Sequence, residues 1–299
     1  MTRAINLARL GKYITHPNPT VGCVLVKEGE IIAEGFTQPA GGPHAEAVAL
    51  QQAGENAKGA TAYVTLEPCS HTGRTPPCAD ALVRSGVARV FIAMQDPNPF
   101  VSGTGIARLE AAGIEVHTGL QATEAAKLNR GFIRRMEHGL PFVRVKMATS
   151  LDGRTALNNG ASQWITGPEA RRDVQFWRAQ SDAILTGIGT LLADDPSLNV
   201  RLSQEELGID VPVRQPTRVI MDTQLRCPPN AKVLTLPGET LIYTQYYSSD
   251  TVYELEKAGA EVVVLESKNE TARMSVEDVL RDLAKREINE VHTEAGAVL

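Results

Sequence analysis

Through most of the chain, runs of β-branched and apolar residues alternate with stretches that open on proline and close on glycine. This alternation constrains the fold more than any other feature, because strands separated by helices of this length favour a layered α/β sheet. In the first half, VGCVLVK (21–27) and EIIAEGF (30–36) flank Glu28-Gly29, which reads as a hairpin turn. Pro43 opens a helix running to about Ala53, with Gly54 beyond its end. TAYVTLE (61–67) and ARVFIAM (88–94) read as strands, with a helix from Pro77 to Ser85-Gly86 between them. Further helices are predicted at about 2–10, 103–113 and 122–138, and a short strand at IEVHTG.

HGLPFVRVKMATS (138–150) reads as a boundary followed by a new strand, so domains of 1–140 and 141–299 are predicted. At roughly 150 residues per domain, 299 residues fit two. The second half repeats the alternation. It has a helix from Pro168 to about Ala179, strands at 182–187, 217–222, 239–244, 260–266 and 288–294, and a helix at about 275–286. The polar stretch 203–216 reads as a loop. NEVHTEAGAVL runs from a strand through Ala295-Gly296 into a single helical turn, so the expectation is an α/β domain truncated at its C-terminus.

Lys and Arg total 30 against 35 Asp and Glu, a net charge of −5. An acidic chain has no cation excess with which to neutralise a phosphate backbone or a membrane surface, which argues against nucleic-acid and membrane partners. It leaves room for a small phosphorylated substrate. No run of about 18 apolar residues occurs, and MTRAINLARLGKY is too polar for a signal peptide. Cys23, Cys69, Cys78 and Cys227 are unevenly spaced, unlike a secreted disulfide framework, so the reading is a cytoplasmic protein with some thiols bound to metal.

The densest chemistry lies in His44-Ala45-Glu46, Pro68-Cys69 and Pro77-Cys78. One imidazole and two thiolates suit Zn²⁺ and leave a fourth position open, which is the catalytic pattern. Glu46 is then the group that moves protons between water, the substrate ring and a departing amine. Residues two apart on a helix point about 200° from each other, so His44 and Glu46 converge only in a first turn, where Pro43 puts them. Zinc deaminases carry H-x-E followed by P-C-x-x-C, whereas eight residues, SHTGRTPP, separate these cysteines. The alternative is a structural zinc site or unrelated core cysteines.

On that insert His71 and Arg74 are candidates to hydrogen-bond a pyrimidine or phosphate, or are solvated loop residues. Asn18, in HPNP, either reads a base edge or belongs to a plain connector. Asp96 follows a strand at the end where α/β sites form, and ordinary capping explains it equally well. Cys23 reads as a small buried hydrophobe. In the second half Arg178 and Arg201 are able to grip a phosphate, or to form surface ion pairs. Trp164 stacks on a cofactor ring or fills core, core being the commoner fate.

HPNPTVGCVLVK, GGPHAEAVAL, TAYVTLEPCSHTGRTPPCADAL and QDPNP resemble the deaminase half of the bacterial bifunctional riboflavin-biosynthesis proteins, in which the longer cysteine spacing is the family's own. KMATSLDGRTAL, SQWITGPEARRDVQ, DAILTGIGTLLADDPSLNVR and EAG resemble the reductase half. The resemblance implies a cytidine-deaminase-like three-layer α/β/α domain followed by a dihydrofolate-reductase-like α/β domain. It implies zinc-dependent deamination of 2,5-diamino-6-ribosylamino-4(3H)-pyrimidinone 5′-phosphate, then NADPH-dependent reduction of the ribosyl group to ribityl. His44, Cys69 and Cys78 become the zinc ligands, and Glu46 the proton donor. Ala148, Trp164, Thr190, Asp194, Thr223 and Gly296 lie on the NADPH side, with Asp194 also a candidate acid. Ser162, Arg178, Leu198, Arg201 and Glu294 lie on the substrate side. A homo-oligomer joined through the reductase domain is implied as well. The competing readings are a deaminase whose second domain only binds or oligomerises, a nucleic-acid base deaminase, and a zinc-stapled domain without activity.

Overall fold

The computed structural model describes residues 1–71, 76–158, 161–162, 164–266, 274–296 and 299. The chain divides into two compact units, Met1–Gly139 and Leu140–Leu299.

The first unit begins with α1 (Thr2–Ala8) and a 3-10 turn, Arg9–Tyr13. β1 (Gly22–Lys27) and β2 (Glu30–Phe36) follow as an antiparallel hairpin. Glu28 and Gly29 both have positive φ, 54° and 87°, as a two-residue turn matching the strand twist requires. Then come α2 (Ala45–Ala53), β3 (Thr61–Val64), α3 (Cys78–Ser85), β4 (Arg89–Ile92), α4 (Thr104–Ala111) and β5 (Glu115–Thr118). α5 (Ala122–Leu128) and α6 (Arg130–His138) close the unit. The sheet order is β2-β1-β3-β4-β5, with β3, β4 and β5 parallel.

Alternation along β1 builds the layers. Cys23 and Leu25 point into a core that includes Ala45, Ala49, Ala79, Leu82 and Leu109, from α2, α3 and α4. Val24 points the other way, onto Ala4 and Leu7 of α1. The result is helix, sheet, helix.

The sequence predicts one helix over 122–138, but the structure breaks it at Asn129 (φ −118°, ψ 25°). The Asn129 amide is committed elsewhere: its Oδ1 accepts from Thr20 N at 2.7 Å and its Nδ2 donates to Thr20 O at 2.9 Å. A local helical period cannot report a tie to a residue 109 positions away.

The second unit runs β6 (Phe142–Lys146), α7 (Pro168–Gln180), β7 (Ala183–Gly187) and α8 (Ile188–Asp194). It continues with α9 (Gln204–Leu207), β8 (Thr217–Met221), α10 (Lys232–Thr235), β9 (Thr240–Thr244) and α11 (Ser249–Lys257). It ends with β10 (Ala260–Val264), α12 (Val276–Lys285) and β11 (Glu290–Glu294). All six strands are parallel, in the order β10-β9-β8-β7-β11-β6. Ile184, Ile220 and Ile242 face one apolar layer, while Leu185, Val219 and Leu241 face the other. A sheet covered on both faces explains why these strands read as continuous apolar runs. The expected loop 203–216 contains α9, set by a capping box in which Ser203 and Glu206 satisfy each other's backbone amides. Among the described residues, no helix is long and apolar enough to cross a membrane.

Candidate active sites

In the first unit the described segments that carry Asn18, His44, Cys69 and Cys78 arrive at one end of the sheet. β1 pairs antiparallel with β3 so that Cys23 opposes Val64, which brings the loop before β1 to the end of β3 from which Cys69 follows. Gly22 N donates to Thr65 Oγ1, and Val21 and Thr37 bond each other, so the exit of β2 lies there too. α2 packs hard on β2: a Cβ on Gly35 would sit 2.3 Å from Ala45 O. His44 caps that helix and Glu46 stands in its first turn. Cys78 is the first residue of α3, with Pro77 as its cap. A helix start favours a thiolate, but the Cys78 thiol is pushed up, first by its hydrogen bond with Cys69 and then by burial, so the helix start alone does not ionise it.

His44 Nδ1 lies 3.6 Å from Cys69 Sγ and 3.4 Å from Cys78 Sγ. With Zn–N near 2.0 Å and Zn–S near 2.3 Å, the N···S edge of a tetrahedron is about 3.6 Å. The two N···S distances therefore match edges of a zinc shell with these atoms as its corners, and among the described residues the three form a ligand group without a fourth member. Cys69 is pushed down to about 4, first by its hydrogen bond with Cys78, so a cation meets a sulfur already inclined to ionise.

Glu46 is buried and its carboxyl is pushed up to about 7, chiefly by burial and then by the charge of Cys69. A carboxyl poised near neutrality both takes and gives a proton, which is what shuttling demands. Cys23 is fully buried beside it, a packing residue as the sequence suggests.

Around this centre, Asp96 is 7% exposed and raised to about 6, mainly by burial. His71 is exposed and close enough to act on Asp96 electrostatically, so these two are brought together. Asn18 sits half-buried in the loop anchored by Asn129. Arg74 lies outside the described residues. Sequence reasoning missed Glu67, whose buried carboxylate accepts four backbone N–H groups. Its only signal was an acidic residue ending a strand immediately before Pro68.

In the second unit, parallel strands put Ala148 (after β6), Thr223 (after β8), Glu294 and Gly296 (the end of β11 and just beyond) at one C-terminal edge. Thr190 and Asp194 stand four apart on α8, which leaves β7 at the same edge, and so share a helix face. Arg178 does not stand ready for a phosphate. Its Nε and Nη2 bind Glu294 at 2.6 and 2.9 Å, and Nη1 donates to Asn199 O at 2.9 Å. Of the two readings of Arg178, phosphate grip or ion pair, this geometry is the ion pair, buried rather than at the surface. Arg201 is the exposed cation of the pair, with Nη1 3.3 Å from Asn199 Oδ1. Leu198 has its side chain in the core and φ of 44°, so only its main chain is presented. Ser162 is exposed. Trp164 is 72% exposed with Arg171 over its ring at 4.5 Å, so of its two readings it does not fill core.

Comparison with known proteins matches residues 141–299 to the RibD C-terminal domain, and residues 1–94 to the cytidine and deoxycytidylate deaminase zinc-binding region. The chain is 51% identical to the riboflavin biosynthesis protein RibD of Escherichia coli, covering all of this chain and 81% of that protein. The chain belongs to the RibD family. RibD of Aquifex aeolicus is 43% identical over 99% of this chain and 80% of its own length. The crystal form 1 structure of Acinetobacter baumannii RibD superposes with a TM-score of 0.89 at 49% identity, covering 99% of this chain and 79% of that one. A Thermotoga maritima diaminohydroxyphosphoribosylaminopyrimidine deaminase/5-amino-6-(5-phosphoribosylamino)uracil reductase superposes with a TM-score of 0.82 at 38% identity, covering 99% and 79%. The zinc-binding region matched in this RibD chain contains His44, Cys69 and Cys78, the three residues whose ligand atoms converge.

Proposed function

We infer that this chain is a bifunctional riboflavin-biosynthesis enzyme that deaminates 2,5-diamino-6-ribosylamino-4(3H)-pyrimidinone 5′-phosphate and reduces the product's ribosyl group to ribityl with NADPH. The carrying observation is the tetrahedral spacing of His44 Nδ1 and the two sulfurs, with Glu46 buried beside them. We assign deamination to the first unit and reduction to the second.

For deamination, zinc supplies a Lewis acid that makes water nucleophilic near neutral pH. His44, Cys69 and Cys78 hold it. Glu46 takes the proton released by water and delivers it to the amino group that leaves as ammonia, while oxygen replaces nitrogen on the ring. We assign Asn18, His71 and Asp96, together with Arg74, whose position lies outside the described residues, to binding the pyrimidine and its ribose phosphate.

For reduction, NADPH supplies a hydride to C1′ of the opened ribosylamine, and the protein orients both partners and excludes water. Ala148, Trp164, Thr190, Asp194, Thr223 and Gly296 are the residues that would hold the cofactor. Ser162, Leu198, Arg201 and Glu294 face the substrate, and Arg178 holds Glu294 in place. Arg201 is the phosphate's cation. Asp194 is the candidate proton donor.

The partners are small molecules, and the net charge of −5 speaks against nucleic acid. A homo-oligomer through the second unit fits β6, an edge strand whose Val145 and nearby Met147 are each 66% exposed. The four free cysteines suit a reducing cytoplasm.

The test is ammonia release from the diaminopyrimidine phosphate, with zinc content measured alongside, followed by NADPH oxidation. One zinc per chain, chelator-sensitive ammonia release and product-dependent NADPH oxidation are expected. Ammonia release that survives complete removal of zinc overturns the reading.

A further inference from the structure

Glu67 ends the segment leading to Cys69 and is 3% exposed. A buried carboxylate needs partners, and among the described residues Glu67 finds them in the Asp96 loop and at the start of α4. Oε1 accepts from Gly105 N at 2.9 Å and Ile106 N at 3.2 Å, in the first turn of α4. Oε2 accepts from Gly103 N at 3.0 Å and Asp96 N at 3.1 Å. One side chain therefore fixes both α4 and the loop that carries Asp96.

α4 in turn touches the neighbours of both sulfur ligands. A Cβ on Gly105 would lie 2.0 Å from Pro68 O, so the helix is seated directly on the residue before Cys69. Thr104 Oγ1 donates to Val101 O, which leaves it to accept from Ser70 Oγ, just after Cys69. Arg108 Nη1 donates to Ser70 O at 2.8 Å, and Arg108 Nε pairs with Asp80 at 3.2 Å, two residues after Cys78.

We propose that Glu67 is the positioning residue of the deaminase centre: by seating α4, it holds Cys69 and Cys78 at zinc-binding separation and holds Asp96 above them. Outer partners of this kind tune metal affinity by about 10–100-fold. The inference rests on the zinc-deaminase reading and assigns a role that reading does not need. A merely structural buried acid would lower thermal stability without touching metal release or substrate affinity.

The experiment uses the full zinc-loaded chain. Glu67→Gln keeps the shape but turns an NH₂ group toward two backbone donors. Zinc transfer to a chromogenic chelator is expected to be at least about tenfold faster than in the wild type, and KM for the diaminopyrimidine phosphate is expected to rise, while NADPH binding is unchanged. Arg108→Met, a half-exposed position, serves if Glu67→Gln does not fold, and should speed zinc transfer several-fold. Wild-type zinc transfer and KM in a folded Glu67→Gln, or wild-type zinc transfer in Arg108→Met where only that variant folds, overturns the proposal. A wild-type chain that takes up no zinc overturns the deaminase reading itself, and is distinguished by needing no variant.

Discussion

Single residues carry the chemistry here, and some were readable because their types admit few roles. A histidine and a carboxylate at one helix start, a cysteine at another and a second cysteine on the loop between point to one ion, and His44 Nδ1 does meet both sulfurs. Glu46→Gln keeps that geometry and removes only the proton carrier. It should retain zinc and lose ammonia release by about 10²–10⁴-fold, measured by metal analysis and an ammonia assay on one preparation. Arg178 was not readable, since nothing local in the sequence says that Glu294, 116 positions away, occupies its fork. His292 is similar. It is 1% exposed on β11, neither ring nitrogen has a hydrogen-bond partner among the described residues, and Glu294 Oε1 is 3.6 Å from Nε2. Burial, against the pull of Glu294 and with the help of Arg144, Arg178 and Lys146, lowers its pKa from 6.5 to about 4. Between those values the unfolded chain binds a proton that the folded chain refuses, so this group's contribution to stability falls as pH drops from about 6.5 to 4. The urea midpoint of His292→Gln should depend less steeply on pH across that window than the wild type's. Equal slopes would show that the imidazole stays neutral in neither or both states.

At the scale of elements, local signals sufficed where a turn or cap decides the outcome. Glu28-Gly29 forces the hairpin, Gly86 closes α3 in the left-handed region, and alternation sorts β1 between two layers. They failed where a distant partner decides, as at Asn129, and where short elements carry too little period to register, as at α9 and α10. The close approach of α2 to β2 was also invisible, although it sets the site. Gly35 has no room for a Cβ, which would meet Ala45 O at 2.3 Å and Ala49 N at 2.8 Å. Gly35→Ala must push away the turn that carries His44 and Glu46. It should cost about 1–3 kcal/mol in chemical unfolding and reduce zinc retention in dialysis. Gly189→Ala, in α8 of the second unit with open space around it and no left-handed φ, should leave zinc retention at the wild-type level.

For the whole molecule, the division into two units makes the two chemistries separable by ligand. The core lined by Cys23, Leu82 and Leu109 closes within the first unit, and the two apolar layers of the parallel sheet close within the second. A ligand that binds only the folded form of one unit stabilises that unit by mass action, about 2.7 kcal/mol at one hundred times its Kd. Zinc bound at His44, Cys69 and Cys78 should therefore raise the unfolding temperature of the first unit, and NADPH at the β6, β7, β8 and β11 edge should raise that of the second. Calorimetry of the intact chain should resolve two transitions, with a chelator lowering one and NADPH raising the other. If both ligands move a single transition, the units unfold as one cooperative body. Separate substrates would then share one stability, and each cofactor would protect both reactions.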